Sequence, residues 1–344
     1  MRILLITNDW YPKQGGISTY LTSLVNNLNY QVTIYGPSWI EGESTVRSSY
    51  RFIMPYKKVF SEISDIVKKE KIEAIILGSS NPQFLLVSNL LKLNIPIYMI
   101  AHGAEFNILR YVPLLSRVLK KAMDAVTEVY TISSFSLMKL KRFTKSKVKL
   151  IGAGVESNKF IKQREDRDEE NIIIGVCSRF VPRKKIDWVM EVCSQLSQEG
   201  YKLKVVIYGQ GRLEKKLKKL SELISVETVF YRDSEGVSIQ DFYKGIDIFA
   251  MPAHSRFFGL EYEGLGLVYL EAASYGIPVI TGSSGGAPET IIPGKTGFVA
   301  DTKEHLLEGI KYFLDDTEKI NEYGQAGKIF VQNNFSWERV SEKI

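Results

Sequence analysis

Residues 261–289 read EYEGLGLVYLEAASYGIPVITGSSGGAPE, and the order of residue types in this stretch decides the fold class. Gly264 and Gly266 lie in a loop ahead of an apolar, helix-length segment that begins near Leu267. Glycines at such a place let the backbone approach a ligand closely. A run of small and β-branched residues, Pro278–Thr281, then reads as a buried strand, and a glycine-rich turn closes the unit at Glu289. Loop, helix and buried strand in this order form one repeat of a parallel sheet covered by helices.

Outward from this stretch the same alternation runs through the 344 residues. Strands are predicted at Ile172–Cys177, Lys204–Tyr208, Thr228–Phe230 and Ile248–Met251, with helices over Lys185–Glu199 and Arg212–Leu223. In the first half the strands are Arg2–Thr7, Gln31–Tyr35, Ala74–Leu77, Ile97–Ile100 and Val129–Ile132, and the helices include Ser18–Leu28 and Ser61–Lys71. Near Ile151–Val155 two glycines flank a turn, and the charge run Gln163–Glu170 follows as the exit from the first domain. The last segment, Glu318–Ile344, reads as helical and amphipathic. The chain is too long for one ordinary core. The expected fold is therefore α/β, with two Rossmann-like, doubly wound parallel-sheet domains at 1–155 and 156–330, and 331–344 returning as a C-terminal helix to the first. Ligands of such sheets bind at strand carboxyl ends, so a central cleft between the domains is the expected site.

Composition narrows the class. The hydrophobic fraction of 44% with 24% charged residues fits a globular chain,. No run reaches the roughly 18 apolar residues of a membrane helix. Cys177 and Cys193 lack metal-site spacing, and a reduced, cytoplasmic compartment is the simplest expectation,. The net charge of +6 conceals an asymmetry: residues 1–150 carry 20 Lys and Arg against 10 Asp and Glu, the remainder 25 against 29. Nine basic residues lie between Arg117 and Lys149, against only Asp124 and Glu128. A solvated face explains this, as does attraction to an anionic membrane surface or anionic acceptor. Nucleic acid fits less well, because no binding motif accompanies the charge.

Four places carry candidate chemistry. Glu263 and Glu271 are separated by seven residues across the start of the helix. The free amides of Leu267 and Val268 at that start can hold an anion. Glu271, one turn in, could accept from ribose hydroxyls, and Glu263 would reach a sugar. Either glutamate alone also fits a helix start that attracts acids. Next, Arg179 and Lys184 follow a predicted strand at Cys177, where cations can neutralise a departing diphosphate,. Gly15 and Gly16 lie at the first strand-to-helix junction, and Gly209 follows the Lys204–Tyr208 strand. His102 is the only histidine at a predicted strand end in the first domain. Asp166 and Asp168 spell a DxD, but in the charged linker, so no metal is expected.

The glutamate pair, the small-residue strand and the SGGAPE turn resemble the retaining GT-B enzymes of glycosyltransferase family four. The phrase from Met251 through EGLGLVYLEA to SGGAPE is especially similar to phosphatidylinositol-mannoside mannosyltransferases. The resemblance implies that Glu271 holds the donor ribose and Glu263 contacts the sugar. It pairs Arg179 with Lys184 on the diphosphate, and does not extend to Arg183 or Lys185. Gly15 and Gly16 would lie near the donor phosphates, and His102 beside the transferred sugar. Phe230 to Ser234 would contact the base, including Arg232 and Asp233, and Arg232 departs from the family's glycine.

The implied reaction moves a hexose, mannose favoured, from GDP-mannose or a UDP-hexose to an acceptor hydroxyl, with retention and without a metal or other cofactor. A lipid-linked or glycan acceptor fits the basic first domain, with peripheral attachment at the inner face of the membrane. A UDP-glucose-dependent glucosyltransferase, a GT-B epimerase or phosphorylase, and a non-catalytic nucleotide-sugar-binding partner protein are the alternatives.

Overall fold

The computed structural model describes residues 1–13, 15–156, 171–232 and 236–344. Contacts divide it into two units, Met1–Gly154 with Trp337–Ile344, and Val155–Ser336.

The first unit is a seven-stranded sheet. Its strands are β1 (Arg2–Ile6), β2 (Gln31–Gly36), β3 (Thr45–Arg47), β4 (Ala74–Leu77), β5 (Ile97–Ala101), β6 (Glu128–Thr131) and β7 (Lys147–Leu150). The order is β3-β2-β1-β4-β5-β6-β7, with every pairing parallel. Ile3 to Ile6 are all buried, as a strand covered on both faces requires. The helices are α1 (Gly16–Asn27), α2 (Lys57–Glu70), α3 (Val87–Leu90), α4 (Ala104–Leu109), α5 (Pro113–Ala125) and α6 (Ser134–Lys141).

The second unit repeats the plan with six parallel strands. These are β8 (Ile172–Cys177), β9 (Leu203–Tyr208), β10 (Thr228–Tyr231), β11 (Ile248–Met251), β12 (Val279–Thr281) and β13 (Gly297–Val299), in the order β10-β9-β8-β11-β12-β13. Its helices are α7 (Ile186–Gln198), α8 (Glu214–Ser221), α9 (Ile239–Gly245), α10 (Leu267–Ser274), α11 (Lys303–Asp315) and α12 (Glu318–Asn334). The strand order reverses between β8 and β11, the place where a doubly wound sheet brings its ligand-binding loops together,.

The C-terminal segment differs from the helix expected over Glu318–Ile344. α12 ends at Asn334, and α13 (Trp337–Ser341) starts after a break at Phe335 and Ser336. α13 packs on α1 in the first unit. The fit is close, since a Cβ on Gly154 would stand 2.5 Å from the Trp337 nitrogen. The Tyr20 ring lies edge-on to both Trp337 and His102, at 5.4 and 5.1 Å.

Helix starts differ in how they are closed. α6, α9 and α11 are capped by Ser133, Ser238 and Thr302, whose hydroxyls accept backbone N–H groups,. α1 and α10 begin instead at Gly15 and Gly266, with no side-chain cap. Their first amides stay available to an external anion.

Candidate active site

In the second unit the loops after β8 and β11 meet. The segment after β8 crosses Arg179 and tightens into a single 3-10 turn at Pro182–Lys184. That turn swings both Arg183 and Lys184 onto one carboxylate. Lys184 Nζ lies 2.8 Å from Glu263 Oε2, and Arg183 Nη1 donates to the same oxygen. Lys184 and Glu263 are both buried. Burial alone would push the Glu263 carboxyl up, but the Lys184 and Arg183 charges outweigh it and hold it down to about 2,. Burial lowers the Lys184 ammonium, Glu263 raises it, and the Arg183 and Arg179 charges lower it further; the net direction is down.

The backbone at Glu263 is bolted to the SGGAPE turn. Its N–H donates to Ser284 Oγ at 3.0 Å, and its carbonyl accepts the Gly286 N–H at 3.0 Å. Gly285 has φ +61, and a Cβ there would fall 2.1 Å from the Glu263 carbonyl oxygen. Only glycine satisfies both the left-handed conformation and this approach.

Glu271 lies one turn into α10, among different partners. Its Oε2 accepts the Tyr243 hydroxyl at 2.7 Å, and no cation reaches it among the described residues. Burial therefore pushes its carboxyl up, with only partial relief from the Tyr243 hydrogen bond. Leu267 and Val268 open α10 at its uncapped start. Gly209, with φ +135, follows β9, and its missing Cβ makes room for the Ser178 carbonyl, 2.1 Å from where that atom would be. This seats the loop bearing Arg179 against the β9 end. Arg179 is exposed and faces no carboxylate among the described residues. Arg232 reaches Glu214 at the start of α8. Asp233 lies outside the described residues, as do Asp166 and Asp168. Among the described residues no group of three potential metal ligands exists.

In the first unit, Gly15 and Gly16 form the start of α1, and a Cβ on either would meet no protein atom within 4 Å. Packing does not require glycine there, and the space in front of them is open. His102 follows β5 and is buried. Its Nε2 stands 2.8 Å from the Gly78 carbonyl, which can only accept, so Nε2 carries the hydrogen of that bond,. Its backbone N–H donates to Glu105 at 2.5 Å.

The second unit thus gathers Arg179, Lys184, Glu263, Glu271, Gly209, Leu267 and Val268 on the carboxyl-end side of one sheet, and the first unit holds Gly15, Gly16 and His102 on that of another. Sequence reasoning set Arg183 aside and gave no role to Tyr243 or Ser284. Tyr243 is 28 positions from Glu271 with no motif between them. Arg183 could have been found only by knowing that a 3-10 turn points two adjacent side chains at one acceptor.

Comparisons with known proteins bear on the family and the fold. The family model described as "Glycosyl transferases group 1" matches residues 157–330. A GDP-mannose-dependent α-(1-6)-phosphatidylinositol monomannoside mannosyltransferase from Mycolicibacterium smegmatis is 30% identical, covering 97% of this chain and 95% of that protein. A GDP-mannose-dependent monoacylated α-(1-6)-phosphatidylinositol monomannoside mannosyltransferase from Corynebacterium glutamicum is 28% identical over 100% of this chain and 96% of its own. Among solved structures, Anabaena HepE in complex with UDP-glucose superposes with a TM-score of 0.79 at 15% identity, covering 99% and 97% of the two chains. A sucrose-phosphate synthase from Thermosynechococcus elongatus gives 0.77 at 20% identity, covering 99% and 96%. These two likenesses concern the fold, which is GT-B.

Proposed function

The chain belongs to the group 1 glycosyl transferases, and from that premise we propose that it transfers mannose from GDP-mannose to a hydroxyl of a lipid-linked glycan, with retention. It is a nucleotide-sugar-dependent hexosyltransferase; the donor, acceptor and stereochemistry are the finer reading. The observation that carries this reading is the cationic cluster at the β8–β11 reversal, where Lys184 is bonded to Glu263 and Arg179 stands exposed beside it.

In the proposed reaction, Arg179 and Lys184 bind the diphosphate and stabilise the charge that builds as the anomeric C–O bond breaks. Glu271 accepts from the ribose, Glu263 and His102 position the sugar, and the amides of Leu267, Val268, Gly15 and Gly16 face phosphate or sugar oxygens. Gly209 and the Arg232–Asp233 segment line the nucleotide. The acceptor oxygen bonds to the anomeric carbon, and its proton passes to the departing phosphate oxygen on the same face. Glu263 is not the nucleophile in this scheme, because two cations occupy its charge. No metal or cofactor is invoked.

Mannose is favoured because the two mannosyltransferases described above carry GDP-mannose and phosphatidylinositol monomannoside in their names. A feature of α5 supports the lipid acceptor. Leu114 and Val118 are 70% and 39% exposed, and Arg117 and Lys121 are exposed on the same helical stripe,. An amphipathic face of apolar and basic residues suits an anionic bilayer, reached from the cytoplasmic side. Among the described residues no helix is long and apolar enough to cross a membrane.

A thermal-shift panel of nucleotide sugars, followed by transfer to an extracted glycolipid, tests the reading. GDP-mannose should give the largest stabilisation and a labelled lipid product with the α configuration. Stabilisation by UDP-sugars alone, or donor consumption without acceptor, defeats it. Co-sedimentation with vesicles should require anionic lipid and weaken with salt; indifference to both removes the membrane component.

A further inference from the structure

Lys184 is asked to neutralise a leaving diphosphate while its ammonium is bonded, at 2.8 Å, to a buried carboxylate. A lysine that is the sole counter-ion of such a carboxylate forms a neutral pair, with little charge left for an incoming anion. Arg183 alters that balance. Its Nη1 donates to the same Glu263 oxygen, and its Nε lies 3.4 Å from Glu261 Oε1. Its carbonyl accepts the His254 N–H at 2.8 Å, and the other Glu261 oxygen stands 3.5 Å from Arg256 Nη1. Arg183 is therefore fixed at both ends of the 254–263 segment. Its side chain is 11% exposed, whereas Arg179 is open to solvent. The guanidinium fork has donors enough for two carboxylates at once.

We propose that Arg183 is a positioning residue that supplies the counter-charge of Glu263, so that Lys184 keeps a surplus charge for the anionic leaving group. The proposal rests on the reading of Lys184 as a diphosphate contact. The cluster around Glu263 consists of Lys184, Arg183, the Glu261–Arg256 pair and the buried Tyr269, with Arg179 felt at Lys184. Three cations, Arg183, Lys184 and Arg256, pair with Glu261 and Glu263, and Arg179 adds its charge at Lys184, which leaves net positive charge at the β8 end. Removing Arg183 while keeping Glu263 halves that surplus.

The test is calorimetric binding of nucleoside diphosphate against monophosphate, run with guanosine and uridine nucleotides on the full chain. Arg183→Met should reduce the preference for diphosphate about ten-fold, the value of one charge-assisted contact, and Arg183→Lys should keep most of it. In Arg183→Met with Glu263→Gln, no carboxylate competes for Lys184, so the preference should return although turnover stays low. A wild-type preference in Arg183→Met overturns the proposal. So does a double variant that fails to recover, because the defect is then structural. Thermal melting checks folding, and if Arg183→Met does not fold, the Arg183→Lys and double variants carry the comparison. If Lys184→Ala leaves the preference unchanged, the diphosphate reading of Lys184 has failed and this inference with it. If Lys184→Ala loses the preference and Arg183→Met does not, only the Arg183 inference fails.

Discussion

Two glutamates, eight positions apart, stand in opposite electrical surroundings. Glu263 comes from a loop whose neighbours are Lys184 and Arg183, and its carboxyl is held down to about 2. Glu271 comes from a helix, has a single phenol for company among the described residues, and its carboxyl is pushed up. Glu263 is the more buried of the two, so burial alone would raise it at least as much; the number of cations reverses the order. The difference teaches how the site divides its work. The loop carboxylate is already committed to the protein and acts as a fixed negative centre. The helix carboxylate has one neutral donor and unmet acceptor capacity, as a group waiting for ligand hydroxyls would.

The comparison breaks most sharply at Lys184. Lys184→Ala should lower turnover about 10²-fold or more, the usual cost of losing a transition-state contact. Steady-state kinetics with wild-type turnover would remove Lys184 from the reaction.

Next in size is the stability of the loop carboxylate. Its folded value of about 2 lies below the unfolded 4.5. Its stabilisation is therefore full above pH 4.5 and fades as pH falls toward 2,. Glu263→Gln should cost about 3 kcal/mol at neutral pH, the equivalent of that displacement. It should also flatten the acid limb of the melting-temperature profile. An acid limb as steep as in the wild type would show that Glu263 is not the titrating group.

Glu271 has the opposite sign. Its raised value means that stability is lost as pH rises through the folded value,. Glu271→Gln should raise the melting temperature at neutral pH, by about 1 kcal/mol in stability, while weakening donor binding. A lower melting temperature contradicts the assignment. The smallest effect is expected from Tyr243→Phe, which removes the phenol's hydrogen bond to Glu271. The donor KM should rise a few-fold, roughly the worth of one such bond, with kcat nearly unchanged. An equal loss in kcat would mean that the phenol does more than hold Glu271.

The central strands were legible because they are buried on both faces. Ile172–Cys177, Ile248–Met251 and Ala74–Leu77 have the bounds their apolar runs suggest. Three of the four edge strands were not, Thr228–Tyr231 being the exception. Lys147–Leu150 alternates charged and apolar residues and is half-exposed, Thr45–Arg47 is three residues long, and Gly297–Val299 offers one β-branched residue. Such segments become strands by pairing with a neighbour, a tertiary fact. The site divides in the same way. Glycines and charges next to a strand end or helix start could be located from the chain, since local geometry places them. The ion pairs could not, because Lys184 and Glu263 are joined across 79 positions by the β8–β11 reversal. The break at Phe335 and Ser336 was equally hidden, for nothing in an amphipathic period says which unit will claim the last turns.

That return of Trp337–Ile344 to the first unit has a consequence for synthesis. The second unit is one uninterrupted segment, Val155–Ser336, whereas the first is assembled from the two extremes of the sequence. On a ribosome, the second unit is therefore able to finish folding before the first, even though the first begins to emerge earlier. Until Trp337 is made, Tyr20 has one of its two aromatic neighbours and the cleft beside Gly154 is unfilled. A stalled or prematurely stopped chain would thus carry a finished second unit beside an open first one, with the Trp337 seat against α1 as the surface left for a chaperone or protease to read.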